Sequence, residues 1–130
     1  MIPVPTRTMR DGRRILIVED DADLREALSD VLRDEGFAVT SAADGQEALD
    51  RLRREGRPSL ILLDLTMPVM NGWQFRTEQR RDPDLSEIPV VVLSAGERLA
   101  EQMSSLGIDD FVRKPIELGH LLQKIERYCD

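Results

Sequence analysis

The chain has 130 residues, 41% hydrophobic and 33% charged, with a formal net charge of −7. That length holds one domain with a real core and is too short for two ordinary ones. The acidic balance argues against a generic nucleic-acid binder and no apolar run exceeds about four residues, so none can span a membrane; the one cysteine, Cys129, cannot close an internal disulfide, which fits a reducing, cytoplasmic setting.

The opening "MIPVPTRTMRDGRR" carries prolines and arginines but no apolar stretch, so it is not a secretory signal. Residues 1–12 are expected to form a flexible arm ahead of a single domain over 13–130. "RILIV" (14–18) is the first apolar strand. "DADLREALSDVLRDEG" comes next as a helix, with Leu24, Ala27, Leu28, Val31 and Leu32 on one stripe and Gly36 as its stop. "FAVTSA" (37–42) is a more polar strand and is expected at an edge. "DGQEALDRLRREG" puts Ala48, Leu49 and Leu52 on one helical face, with Asp44 as N-cap and Gly56 as stop. "SLILL" (59–63) and "PVVVL" (89–93) are strands separated by the helical "NGWQFRTEQRR". "ERLAEQMSSLG" (97–107) is expected to be a helix with Leu99, Met103 and Leu106 on one face. A weaker strand, "DFVR" (110–113), leads to a last helix, "ELGHLLQKIERY", with Leu118, Leu121, Leu122 and Ile125 inward.

Three of the strands are continuously apolar and not alternating, the habit of strands covered on both faces. Strand-helix alternation repeated five times predicts an α/β fold with a parallel sheet and right-handed crossovers. In such a sheet, ligands bind outside the carboxyl ends of the strands. The residues there are Glu19, Asp20 and Asp21 after the first strand, Asp64 after the third, Ser94 after the fourth, and Lys114-Pro115 after the fifth. Any one acid reads as a strand-end cap facing water. Acids after two neighbouring strands, with a hydroxyl and a lysine after the next two, read as a site. Placed about 5 Å apart at an effective dielectric near 20, each pair of carboxylates costs roughly 3 kcal/mol. A hard divalent cation offsets that cost, and oxygen ligands with open water positions suit Mg²⁺. The chain has 16 arginines and two lysines, Lys114 and Lys124, so the lysine at the end of the last strand stands out. A compact point charge suits a single phosphoryl oxygen. A cis bond at Lys114-Pro115 is expected, to turn that lysine back toward Asp64.

"ILIVEDD", "LILLDLTMPVMNGW", "VVVLSAG" and "FVRKP" resemble the receiver domain of bacterial two-component response regulators, over about Arg13 to Tyr128. The interval of 20 residues from Ser94 to Lys114 is shorter than usual for that family, which bears on the helix at 97–107. The resemblance implies a flavodoxin-like (βα)5 doubly wound sheet in the order 2-1-3-4-5, with helices on both faces. It implies Asp64 as phosphoacceptor, with Glu19, Asp20, Asp64 and the backbone carbonyl of Thr66 as ligands of Mg²⁺ (or Mn²⁺). It also implies Ser94 as a switch hydroxyl, Lys114 as the partner of a phosphoryl oxygen, and Phe111 at the aromatic switch position. The chain is then no enzyme beyond catalysing its own phosphorylation and slow dephosphorylation. The implied partners are a sensor histidine kinase or phosphotransfer protein, and a downstream protein target docking on the helix at 97–107, the last strand and the last helix. No direct nucleic-acid or membrane contact is expected.

Two alternatives stand beside this reading. One is a pseudo-receiver acting only as a binding module, although such chains usually lack the acids or the lysine. The other is a haloacid-dehalogenase-like phosphatase, which wants a second acid at the position of Thr66. His120 and Trp73 read as structural, and no output domain comes after the last helix in this sequence.

Overall fold

The computed structural model describes residues 13–129 apart from 66, 68, 95–103, 105–106 and 109. The arm at 1–12 therefore lies outside the described residues, as does nearly all of the helix expected at 97–107. Five strands form one parallel sheet: β1 (Arg14–Val18), β2 (Ala38–Ala42), β3 (Leu60–Asp64), β4 (Val90–Ser94) and β5 (Asp110–Arg113). Their order is β2-β1-β3-β4-β5, the order expected. Four helices are described: α1 (Ala22–Asp34), α2 (Gly45–Glu55), α3 (Gly72–Arg81) and α4 (Leu118–Tyr128).

The unbroken apolar runs are explained by a core on each side of the sheet. Successive strand side chains point to opposite faces. Leu16, Val18, Ile61, Leu63, Val90 and Val92 share one cluster with Ala48, Leu49 and Leu52 of α2 and Phe75 of α3. Ile15, Ile17, Leu60, Leu62, Val91 and Leu93 share the other with Leu28 and Leu32 of α1 and Leu121 and Ile125 of α4.

Two expected inward positions differ. Ala27 is exposed on α1. Leu118 is 42% exposed, because it opens α4 directly after the N-cap Glu117, whose carboxylate accepts from the Gly119 and His120 amides. Asp21 and Asp44 cap α1 and α2 in the same way. No apolar stripe is legible in α3, and its inward face is largely polar. Gln79 is fully buried and donates to the Leu85 and Ile88 carbonyls at 2.9 and 3.1 Å. Arg76, also buried, donates to Gln79 Oε1 at 2.8 Å and to the Gly107 carbonyl at 2.7 Å.

The edge strand β5 is fastened to α4 through Asp110. Its carboxylate meets Lys124 Nζ at 2.7 Å, Arg127 at 3.2 Å and the Tyr128 hydroxyl at 3.3 Å. Burial works against the ionised form, but the Lys124 hydrogen bond and charge, the Phe111 amide and Tyr128 outweigh it and hold Asp110 below the usual 3.8. A carboxylate with a lowered folded pKa adds stability that is present above its unfolded value and lost as pH falls through the folded one. Asp110→Asn is expected to cost about 2 kcal/mol at pH 7, the scale of hydrogen bonds to charged groups. It also flattens the acid limb of the stability profile, which urea denaturation at neutral pH and at pH values below 3.8 measures directly.

Candidate functional site: an acidic pocket at the carboxyl ends of the strands

The register brings the singled-out residues to one end of the sheet. β1 pairs with β3, and β3 with β4, where Asp64 lies opposite Leu93. Asp64 and Ser94 are thus the last residues of their strands, one place further than the apolar runs suggest, because the ladder continues through them. The Lys114 amide donates to the Ser94 carbonyl at 2.9 Å, which sets the lysine beside the end of β4. The Lys114-Pro115 bond is cis, as expected.

Glu19, Asp20 and Asp64 each offer a carboxylate oxygen, and these atoms lie within 4.8 Å of one another. Glu19 and Asp64 are 1% and 5% exposed, while Asp20 faces water. Two acids buried this close need compensation. Part of it is in the chain: Lys114 Nζ stands 2.8 Å from Glu19 Oε1 and 3.6 Å from Asp64 Oδ1. Burial works against the ammonium, but the Glu19 hydrogen bond and the Asp64 and Glu19 charges raise its pKa above 10.5, so it stays charged at neutral pH. The other Glu19 oxygen accepts from the Asp21 amide at 3.2 Å. Arg25, which sequence reasoning missed, reaches back from α1 to the Glu19 carbonyl at 2.8 Å and fixes the backbone that carries the acidic pair.

Among the described residues, Lys114 faces three carboxylates and leaves the pocket net negative. A charge deficit of this kind, built from oxygen donors with one member open to water, fits a hard divalent cation. The residues present therefore suit Mg²⁺ or Mn²⁺ on chemistry. Ser94, 9% exposed, closes the strand next to Asp64. Phe111 is half-buried against the α2/α3-side core, with the Arg113 guanidinium carbon 5.7 Å from its ring centre. Trp73 packs on the same core at the start of α3, and His120 is exposed on α4. Thr66 lies outside the described residues. No described helix is long and apolar enough to cross a membrane.

The sheet order and the acidic pocket define a class. The response regulator receiver domain profile matches residues 15–126, and the chain belongs to that family. It is a signalling domain and not a metabolic enzyme. It is 36% identical over 117 residues to a 14.6 kDa protein of Leptolyngbya boryana, covering 88% of each chain. It is 42% identical over 120 residues to the DNA-binding response regulator MtrA of Mycobacterium tuberculosis, covering 91% of this chain and 50% of that one. The chain thus spans about half the length of MtrA. Among solved structures, Vibrio cholerae CheY4 superposes with a TM-score of 0.82 at 29% identity, covering 89% of this chain and 98% of that one. The receiver domain of the Pseudomonas aeruginosa sensor histidine kinase PA1611, solved with magnesium coordinated in its active-site cleft, gives 0.82 at 29% identity, covering 91% and 98%.

Residual crowding of the acids has a measurable consequence. Asp20→Asn removes one like charge and is expected to raise the melting temperature of the metal-free protein while erasing the rise expected from Mg²⁺ in the wild type. Thermal melts with and without Mg²⁺ check both, and a lower metal-free melting temperature for the variant overturns the crowding argument.

Proposed function

We propose that the chain accepts a phosphoryl group on Asp64 from the phosphohistidine of a sensor histidine kinase or phosphotransfer protein, and that this acylphosphate switches a protein-docking surface. The observation that carries the reading is the convergence of Glu19, Asp20 and Asp64 with Lys114 bridging the two buried acids. In the transfer, a carboxylate oxygen of Asp64 attacks phosphorus in line with the departing imidazole. The new O–P bond forms as the P–N bond breaks, and the electron pair leaves with the ring nitrogen. Such a reaction mostly needs alignment and charge stabilisation. Glu19, Asp20, Asp64 and the Thr66 carbonyl would hold Mg²⁺, which when bound neutralises phosphoryl oxygens. Lys114 exchanges part of its contact with Glu19 for a phosphoryl oxygen, and the Ser94 hydroxyl donates to another. Phe111 has no hydroxyl, so it answers that movement by packing inward. The coupled surface is then β5, α4 and the helix expected at 97–107, and phosphorylation shifts the population of a state already sampled there.

Incubation with acetyl phosphate and Mg²⁺ tests the reading. One phosphoryl group is expected on the wild type and none on Asp64→Asn, measured by intact mass. Modification of Asp64→Asn to the same extent overturns the assignment, and an unmodified wild type favours the pseudo-receiver.

The lifetime of the acylphosphate depends on two positions. Hydrolysis needs a water aligned opposite the Asp64 oxygen. In the receiver family the side chains two places after the acceptor and two after the switch hydroxyl orient or block that water; here those places are Thr66 and Gly96, neither acid nor amide. A general-base contribution of roughly 10²–10⁴-fold is thereby largely missing. Self-dephosphorylation is expected to be slow, and Thr66→Asn to speed it. Decay of labelled phosphoprotein decides, and a wild type that decays faster than Thr66→Asn refutes the argument.

A further inference from the structure

α2 and α3 begin alike. Each opens with a glycine directly after an acid or amide N-cap: Gly45 after Asp44, and Gly72 after Asn71. Glycine is a poor helix former, so its use at both starts needs a cause, and in each case the cause is lack of room. A Cβ at Gly72 would stand 2.6 Å from the Asp64 carbonyl oxygen and 2.7 Å from Leu65 Cα. A Cβ at Gly45 would stand 2.8 Å from both the carbonyl oxygen and Cγ of Met70, and 3.0 Å from Phe75 Cβ. Hydrogen bonds accompany the contacts: the Gly45 amide donates to the Met70 carbonyl at 2.8 Å, and the Gly72 amide to the Leu65 carbonyl at 3.1 Å.

The connection that leaves Asp64 is therefore pinned near both ends by helix N-termini. Beside the Met70 pin, Val69 has a φ of 64°, a conformation that a β-branched residue rarely adopts. Strain of that kind persists only where the surroundings over-determine the backbone. The Gly45 contact and the Asn71/Gln74 capping box supply that constraint on either side of the Met70 carbonyl.

We propose that Gly45 is a positioning residue for phosphoryl transfer at Asp64: the N-terminus of α2, which supplies no carboxylate, hydroxyl or lysine to the pocket, is the abutment against which the acceptor's connection is set. The inference rests on the reading of Asp64 as acceptor. With an alanine at 45, the Met70 carbonyl must retreat by roughly half an ångström to reach ordinary contact. Because the Met70 and Leu65 carbonyls are each held by a helix N-terminus, the shift passes to Asp64 and Leu65. Misplacement of about 1 Å can cost 10²-fold in rate.

The test uses the whole chain with acetyl phosphate and saturating Mg²⁺. Gly45→Ala is compared with wild type and with Ile125→Val, which trims the core on the opposite face of the sheet, each assayed at the same interval below its own melting temperature. Gly45→Ala is expected to be phosphorylated at least tenfold more slowly than Ile125→Val, with weaker Mg²⁺ binding read from Trp73 fluorescence. Asp44→Ala, which frays the abutment without crowding the connection, is expected to slow the reaction as well. It decides the matter alone if Gly45→Ala does not fold. Rates equal to that of Ile125→Val overturn the positioning role while leaving the acceptor assignment intact. A wild type that takes no phosphoryl group overturns both.

Discussion

The ion pair between Lys114 and Glu19 is the contact on which the pocket depends. It spans 95 residues of sequence and joins the end of β5 to the end of β1, across the two strands between them. Without it, a glutamate that is 1% exposed would carry its charge into the protein beside another buried acid. Removing one partner of a buried pair typically destabilises by several kcal/mol, since the other charge is left uncompensated. The sheet order and the two-faced core bring these two strand ends within reach. In the proposed function, the same lysine contact that makes the acids tolerable at rest is the one a phosphoryl group would draw away.

Much of this was legible in the sequence because parallel sheets leave a plain trace. Four consecutive apolar residues with no alternation mean a strand covered twice, and the residues directly after such a strand lie at the ligand-binding end of the sheet. Glu19, Asp20, Asp64 and Ser94 follow from that rule and Lys114 from the weaker strand before it, and the structure brings them to one end of the sheet. The strand ends were misplaced by one residue at Asp64 and Ser94. Hydrophobicity cannot register a ladder hydrogen bond made by a polar residue.

The helices were less legible where their inward faces are not apolar. Arg76 and Gln79 look like surface residues in a string of charges, yet both are buried. Gln79 donates to the Leu85 and Ile88 carbonyls in the segment after the helix, and Arg76 to the Gly107 carbonyl 31 residues on, contacts that no periodicity encodes. Arg25 was overlooked for a related reason: its target is a backbone carbonyl, and every residue has one. The glycines at 45 and 72 did carry a signal. Asp44 reads as an N-cap in the sequence, yet the cap needs only the first residue of the Asp-Gly pair, and the same holds for Asn71 before Gly72. A glycine where a better helix former would serve points to a close neighbour.

The arginine-rich composition has a chemical corollary. The chain holds only two lysine side chains, and both are engaged in ion pairs, Lys114 with Glu19 and Lys124 with Asp110. Guanidinium groups are not acylated under conditions that modify amines. Lysine acylation of this protein thus has two side-chain targets, one in the acidic pocket and one in the clasp between the edge strand and the last helix. An acetyl group on the first would cancel the charge that bridges Glu19 and Asp64. One on the second would loosen β5 from α4. The arginine side chains thus stay inert to acylation, while the two lysine amines sit in the acidic pocket and in the clasp between β5 and α4.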